Sequence, residues 1–235
     1  MARSTVPLSI EHLDKLCAPC RDCLFWESEQ VHRRRLGAQQ RAAEKAAWFA
    51  EVAREWGPPG RTLLVDGEPV GYLAYAPAAY LPGAAAFPTA PVSADAVLLT
   101  TGHLSPAGAG LGRVLVQAMA RDLLQRGGVR AVEAFGRRPH SPLGTPGGAD
   151  CVLPVAFLHE VGFRTRRPHP FTPRLRMDLR SAVTWRDEVH AAWRRLAGVV
   201  RPAPEAASSA ALPPALPSAP ATPRAVPRRA ESPRT

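Results

Sequence analysis

The chain has 235 residues, 46% hydrophobic and 21% charged, which suits a soluble globular protein with one sizeable core in one large domain or two small ones. No run of about 18 apolar residues is present, which excludes a membrane-spanning helix, and the start Met1–Pro7 lacks an apolar signal stretch, so the cytoplasm is the expected location. The net charge of +10 is nearly all arginine, since Lys15 and Lys45 are the lysines, and no basic stripe carries interleaved aromatics; this argues against a nucleic-acid partner and points to a GC-rich bacterial coding sequence.

In chain order, Val6–Ile10 reads as a short strand and Cys17-x-x-Cys20-x-x-Cys23 follows it. Residues 28–56 read as helix, with Ala46, Ala47, Phe49, Ala50, Val52, Ala53 and Trp56 near helical spacing, stopped by Gly57-Pro58-Pro59-Gly60. Thr62–Val65 and Val70–Ala76 are strands joined by Asp66-Gly67-Glu68-Pro69, a hairpin signal. A Pro/Ala-rich loop, Pro77–Ser93, precedes the strand Ala96–Leu104. Simple alternation puts Val97, Leu99, Thr101 and His103 on one face of that strand and Leu98, Thr100 and Leu104 on the other. Gly108–Gly112 is a glycine turn. Arg113–Arg126 is an amphipathic helix with Leu115, Met119 and Leu123 spaced by four, capped by Gly127-Gly128. Val129–Phe135 is a strand, Arg137–Asp150 a Gly/Pro loop, Pro154–Val161 a short helix, and Phe163–Thr165 and Leu175–Leu179 the last strands. Thr184–Leu196 is a final helix capped by Thr184. From Arg201 the chain is Pro, Ala, Ser and Arg, with nine prolines between Pro202 and Pro233, and reads as disordered.

The turn after the Ala96–Leu104 strand carries the chemistry. Glycines let successive backbone N–H groups point at one spot, and the helix behind adds unpaired N–H groups and a partial positive charge. The result suits a pyrophosphate, with Arg113 adding a formal charge. A Walker loop is excluded because no Gly-Lys-Ser/Thr is present, and a Rossmann loop is disfavoured because the spacing is Gly108-x-Gly110-x-Gly112 after a hairpin.

The order of hairpin, strand, Pro, Gly-x-Gly-x-Gly, helix, strand and short helix ending in Gly-Phe resembles the GNAT superfamily of acyl-CoA-dependent N-acyltransferases over Arg61–Leu179. The Gly108–Gly112 turn is similar to that family's Arg/Gln-x-x-Gly-x-Gly pyrophosphate loop. Phe157-Leu158-His159-Glu160-Val161-Gly162-Phe163 is similar to its Phe-Tyr-x-x-x-Gly-Phe helix end. Cys20–Trp26 also resembles the opening of a group of bacterial GNAT proteins. Two positions depart from the pattern: Ala107 stands where the family has Arg or Gln, beside Pro106, and Leu158 stands where a tyrosine often serves as general acid.

The resemblance implies an α/β fold, a GNAT-like, twisted, mostly antiparallel mixed sheet flanked by helices. It implies a lead-in with the first helices over 1–58, an acetyltransferase core over 59–180, a C-terminal helix over 181–200 and the tail over 201–235. Acetyl-CoA is the implied cosubstrate, bound by Leu104, Gly108, Ala109, Gly110, Leu111, Gly112 and Arg113, with the Leu104 N–H on the thioester oxygen. The acceptor is a small-molecule or peptide amine, acetylated directly, and it must lose a proton to a general base. His103 and Glu133 are the candidate bases. Glu133, mid-strand, either pairs with an arginine or lines the acceptor cleft, since a lone buried charge is costly. His159 and Glu160 read as helix surface, and Asp150 as a cleft residue. The Arg137–Asp150 loop is a candidate lid and Pro77–Ser93 the opposite wall, with Phe25 and Trp26 either core or cleft.

Two other readings stand beside this one. One is a non-catalytic acyl-CoA-binding or interaction module. The other is a metal- or redox-sensing protein using Cys17, Cys20 and Cys23, with Cys151 as a fourth thiolate. No second Cys pair and no histidine pair at metal spacing follow, and Cys20 and Cys23 on one helical face could simply pack, so the expectation is no metal.

Overall fold

The structure is a computed structural model and describes residues 2–16, 20–139, 141 and 151–180. Cys17, Asp150, most of the candidate lid, the Thr184–Leu196 helix and the tail lie outside the described residues.

Seven strands form one sheet: β1 (Arg3–Pro7), β2 (Gly60–Val65), β3 (Glu68–Ala76), β4 (Ala96–Leu104), β5 (Ala131–Phe135), β6 (Arg164–Arg167) and β7 (Arg174–Asp178). The order is β1-β2-β3-β4-β5-β7-β6, and every neighbouring pair is antiparallel except β4–β5. Among the described residues five α-helices accompany it: α1 (Ile10–Lys15), α2 (Gln30–Arg35), α3 (Ala38–Glu55), α4 (Gly112–Arg126) and α5 (Val155–Glu160). This is the mostly antiparallel mixed sheet flanked by helices that the sequence leads one to expect. The parallel pair needs a crossover, and α4 supplies it.

The β2–β3 hairpin turns on two residues, Asp66 (φ 50°) and Gly67 (φ 87°), so the turn is tighter than the four residues read from the sequence. The helix expected over 28–56 is two helices. The break falls at Leu36-Gly37, where the Gln40 side chain accepts from the Gly37 N–H at 2.8 Å and starts α3 anew. The first strand is Arg3–Pro7 rather than Val6–Ile10. Helix α1, which the sequence reading did not anticipate, begins where the Ser9 hydroxyl accepts from the His12 N–H.

Two cores cover the two faces of the sheet. One packs Leu115, Val116, Met119 and Leu123 of α4 and Leu158 of α5 against Leu73, Tyr75, Val97, Leu99, Val132 and Ala134. The other packs Leu13, Trp48, Phe49, Val52 and Trp26 against Tyr72, Ala74, Ala76, Leu98 and Phe135. In the second core the Trp26, Phe87 and Phe135 rings stack, Trp26 on Phe87 at 5.0 Å and Phe87 on Phe135 at 4.3 Å. Trp26 is therefore core.

Candidate functional site

Two irregularities of β4 build the site. The first is a β-bulge. Tyr75 faces Leu99 and Ala74 faces Thr101, so Thr100 is an extra residue on β4. Leu99 stays with the α4 core, while Thr101 and His103 lie opposite Ala74 and Tyr72 on the other face. The simple alternation read from the sequence, with Leu99 and His103 on one face, is corrected: the bulge swaps the faces at Thr100. Its hydroxyl donates to the Ala74 carbonyl at 3.0 Å, which holds the bulge in place.

The second irregularity is a splay. β4 and β5 pair only over Ala96–Leu98 and Ala131–Glu133. Past Leu98 no strand among the described residues pairs with that edge of β4, which runs on to Leu104. Residues Cys151–Pro154 come alongside β5 instead: the Arg137 N–H donates to the Leu153 carbonyl at 2.8 Å, and the Val155 N–H to the Arg137 carbonyl at 3.0 Å.

The glycine turn sits at the open end of this splay. Pro106–Gly108 is one turn of 3₁₀ helix folded onto β3, so closely that a Cβ on Gly108 would lie 2.5 Å from the Val70 carbonyl oxygen. The N–H groups of Gly108, Ala109 and Leu111 are used inside the turn, on the carbonyls of Ser105, Pro106 and Gly108. Those of Gly110 and Gly112 have no hydrogen-bond partner among the described residues. The expectation that the amides from 108 to 113 act as one cradle is thus narrowed, because consecutive 3₁₀ bonds consume three of them. Gly110 is in the left-handed region (φ 77°) and open to solvent. Gly112 opens α4 against α5, where a Cβ would lie 2.7 Å from Phe157 Cε2. Leu104, opposite Gly71 in the ladder, tucks its side chain under the turn.

The expected site residues are distributed unequally over this frame. His103 is half-buried, its ring 6.3 Å from that of Tyr72. Arg113 is exposed and reaches the Glu160 carbonyl at 3.0 Å, which ties the start of α4 to the end of α5. Glu133 is 0% exposed and fully engaged. It accepts from the Ser93 hydroxyl at 2.7 Å and the Ser93 N–H at 3.1 Å, and it pairs with Arg174 at 3.0 Å and Arg176 at 3.5 Å. Burial alone would raise its pKa, but the Ser93 bonds and the Arg174 charge hold the carboxyl below its usual value. Of the two roles the sequence leaves open for Glu133, the structure has the ion pair. A carboxylate so engaged is a weak proton acceptor, and this corrects its candidacy as base. His159 and Glu160 lie on the helix surface as expected.

Among the described residues, cavities on two sides of the sheet bear on the site. A groove of about 820 Å³ runs from Arg113 and Gln117 of α4 past His159 and Glu160 to Arg164 and Arg166 of β6. A second, of about 470 Å³, is walled by Phe25, Phe87 and Phe171, with Glu29, Arg33 and His169 at its polar positions. Pro82–Pro88 forms one side of it, so the Pro77–Ser93 segment is a cavity wall and Phe25 is a wall residue.

Sequence reasoning missed two buried charge clusters. Asp122 accepts from Tyr75 at 2.6 Å and pairs with Arg61 and Arg126 at 2.7 Å each. Lys45 pairs with Glu27 at 2.5 Å and donates to the Cys23 carbonyl. The Asp122–Arg126 spacing of four was the available signal for the first; the second joins residues with no local pattern. Sequence also took Cys20 and Cys23 as helical, whereas they lie in a turn-rich segment. The sulfur of Cys151 stands 3.4 Å from that of Cys20 and 3.3 Å from that of Cys23.

No protein-family model matches the sequence, and no curated protein matches it. Several solved structures are similar in fold. Ard1 from Thermoplasma volcanium is 11% identical, with 76% of this chain and 98% of that one covered and a TM-score of 0.45. The PaiA N-acetyltransferase from Thermoplasma acidophilum in complex with coenzyme A is 13% identical, with 76% and 99% covered and a TM-score of 0.45. AAC(6')-Ib in complex with ribostamycin and coenzyme A is 14% identical, with 78% and 97% covered and a TM-score of 0.47. No helix among the described residues is long and apolar enough to cross a membrane.

Proposed function

We propose that this chain is an acyl-CoA-dependent N-acyltransferase that moves an acetyl group from acetyl-CoA directly to a primary amine. The observation that carries the reading is the splay: β4 loses its parallel partner after Leu98, and its free edge leads to two unpaired amides at the start of α4, the exposed one of Gly110 and the buried one of Gly112. An extended pantetheine arm bears two amides and can add to a strand edge through main-chain hydrogen bonds. A diphosphate at its end then meets two unpaired N–H groups and the positive end of a fifteen-residue helix. The groove beginning at Arg113 takes the nucleotide, with the exposed Arg164 and Arg166 for its phosphate.

Chemistry at the thioester needs an oxyanion donor and a base. The Leu104 main chain, last on the β4 edge, is the proposed donor, and the carbonyl carbon it polarises is attacked by the neutral amine. His103, one residue earlier, is the proposed base; its ring is half-buried and faces the Tyr72 side of the sheet. The amine nitrogen loses its proton as the C–N bond forms, and the thiolate leaves with the electron pair of the C–S bond.

A second reading, a non-catalytic acyl-CoA-binding module, is favoured by one observation: Leu158, where a proton donor to the thiolate would stand, is an aliphatic side chain with 0% exposure. Calorimetry with coenzyme A, followed by thiol release from acetyl-CoA across a panel of small amines, peptides and aminoglycosides, tests both. Binding with amine-dependent thiol release is the expected result. Binding without release selects the second reading, and no heat of binding overturns both.

A further inference from the structure

The transferase reading leaves Cys20, Cys23 and Cys151 unused. Two of them are nearly inaccessible, Cys20 at 4% and Cys151 at 2% exposure, while Cys23 is partly open. The Cys151 sulfur touches both others, at 3.4 Å and 3.3 Å. The contact is made by segments far apart in sequence and already docked: the Trp26 indole N–H donates to the Cys151 carbonyl at 2.8 Å. Two structural cysteines commonly bury as small apolar groups. Three sulfurs converging on one point from two segments is a more specific arrangement.

The separations distinguish the chemistries such a trio can support. Thiolates around one tetrahedral zinc, at bonds of about 2.3 Å, stand about 3.8 Å from one another. An iron–sulfur core pushes its cysteines further apart still. The two contacts of Cys151, at 3.4 Å and 3.3 Å, are closer than either, and among the described residues no group of three His, Cys, Asp or Glu is placed to hold a metal ion. A disulfide at about 2.05 Å requires Cys151 to close on a neighbour by only about 1.3 Å, within reach of a side-chain rotation.

We propose that Cys23, Cys151 and Cys20 form an oxidation site for hydroperoxides, with Cys23 as the thiolate that attacks the peroxide, Cys151 as the resolving thiol and Cys20 as an exchange partner. The Cys23 thiolate attacks the O–O bond, leaving Cys23 as a sulfenic acid and releasing the alcohol, or water when hydrogen peroxide is the oxidant. Cys151 then attacks the Cys23 sulfur, the S–S bond forms, and the hydroxyl departs as water. Overall two thiols lose two electrons and two protons, and one hydroperoxide is reduced to the alcohol and water. Cys20 can next attack Cys151 and release Cys23, moving the disulfide to the buried pair.

The surroundings divide the roles in the same way. Hydrogen bonds from Cys151 and Cys20, the Phe25 N–H and the charge of Lys45 hold the Cys23 thiol far below its ordinary value. Lys45 itself is paired with Glu27, and Tyr72 also faces the cluster. Contact with its neighbours and burial push Cys151 up, so it enters as a thiol and gives up its proton in the second step. The product bond fastens the 20–26 segment to the start of Cys151–Val155, the stretch that runs beside β5 into α5.

The test uses the full, reduced chain and hydrogen peroxide, and it reads thiols rather than transferase activity, so its outcome is separate from that of the proposed function. Intact mass is expected to fall by two hydrogens, and peptide mapping to find Cys151 joined to Cys23 or Cys20. In Cys151→Ser, a dimedone adduct is expected at Cys23. In Cys23→Ser, disulfide formation is expected to slow about tenfold or more. The wild-type mapping needs no variant to fold. Thiols left intact by peroxide, a disulfide made through Cys17 instead, or stoichiometric zinc that shields the thiols until it is chelated would each overturn the proposal.

Discussion

The two ends of the β4–β5 pair are built on opposite principles. At the closed end, three residue pairs hold the strands together and Glu133 is bound by Ser93, Arg174 and Arg176. At the open end the strands part and two main-chain amides stay unpaired, that of Gly110, which is exposed, and that of Gly112, which is buried against α5. The closed end spends its formal charges on one another. The open end keeps fixed dipoles free, and these require no counter-ion when a ligand is absent. A charged side chain inside a sheet is therefore no guide to the proposed site, which rests instead on a glycine turn with no charge of its own.

The largest effect should come from breaking the closed end. Glu133→Gln removes one charge from a buried network and leaves Arg174 uncompensated, which should cost about 3–5 kcal/mol of stability in denaturant unfolding. The same contact predicts a pH dependence. The folded-state pKa of Glu133 is depressed, so the unfolded state binds more protons at low pH. The stabilisation is fully present above the ordinary carboxylate value of 4.5 and is lost as pH falls through the lower folded value. Wild-type stability should drop below pH 4.5 more steeply than that of Glu133→Gln; parallel curves would show that the pair contributes nothing.

Next comes the open end's proposed base. His103→Gln should lower kcat by about 10²-fold, in line with general-base contributions, and leave thermal unfolding nearly unchanged because the side chain is only half-buried. A kcat within threefold of wild type, about 0.7 kcal/mol, would remove His103 from the mechanism.

A smaller effect is expected at the turn. Gly110→Val forces a β-branched residue to φ 77° with no steric neighbour within 4 Å, so the change acts on the backbone alone. Coenzyme A should bind about tenfold more weakly, equivalent to about 1.4 kcal/mol and within the range of local backbone strain. Equal affinity would show that the turn does not hold the diphosphate.

The smallest effect should follow Arg113→Ala. Its guanidinium reaches the Glu160 carbonyl from an exposed position, so stability should change by less than about 1 kcal/mol. A larger loss would mean that the α4–α5 junction depends on it.

Several elements were legible because their signals are local. The Asp66-Gly67 hairpin, the four-residue spacing of Leu115, Met119 and Leu123, and the Gly127 stop each depend on residues within one turn or one strand. So does the presence of a glycine turn between a strand and a helix. The break at Gly37 was not legible, because α2 buries no side chain whose spacing could mark a separate helix and the start of α3 rests on one bond to the Gln40 side chain. Nor was the bulge at Thr100: alternation continues unbroken in the letters, and the extra residue exists only in the register against β3.

The amino-acid order by itself determined most of the strand and helix series from the β2–β3 hairpin onward, the class of sheet and the position of a glycine turn between β4 and α4, since short-range sterics and periodicity decide these. Tertiary structure decided which amides of that turn stay open, which face His103 takes, that Glu133 closes on arginines of β7, and that Cys151 meets Cys20 and Cys23. Each of these is a relation between segments distant in the chain, set by register and packing, and no local pattern of residues encodes it.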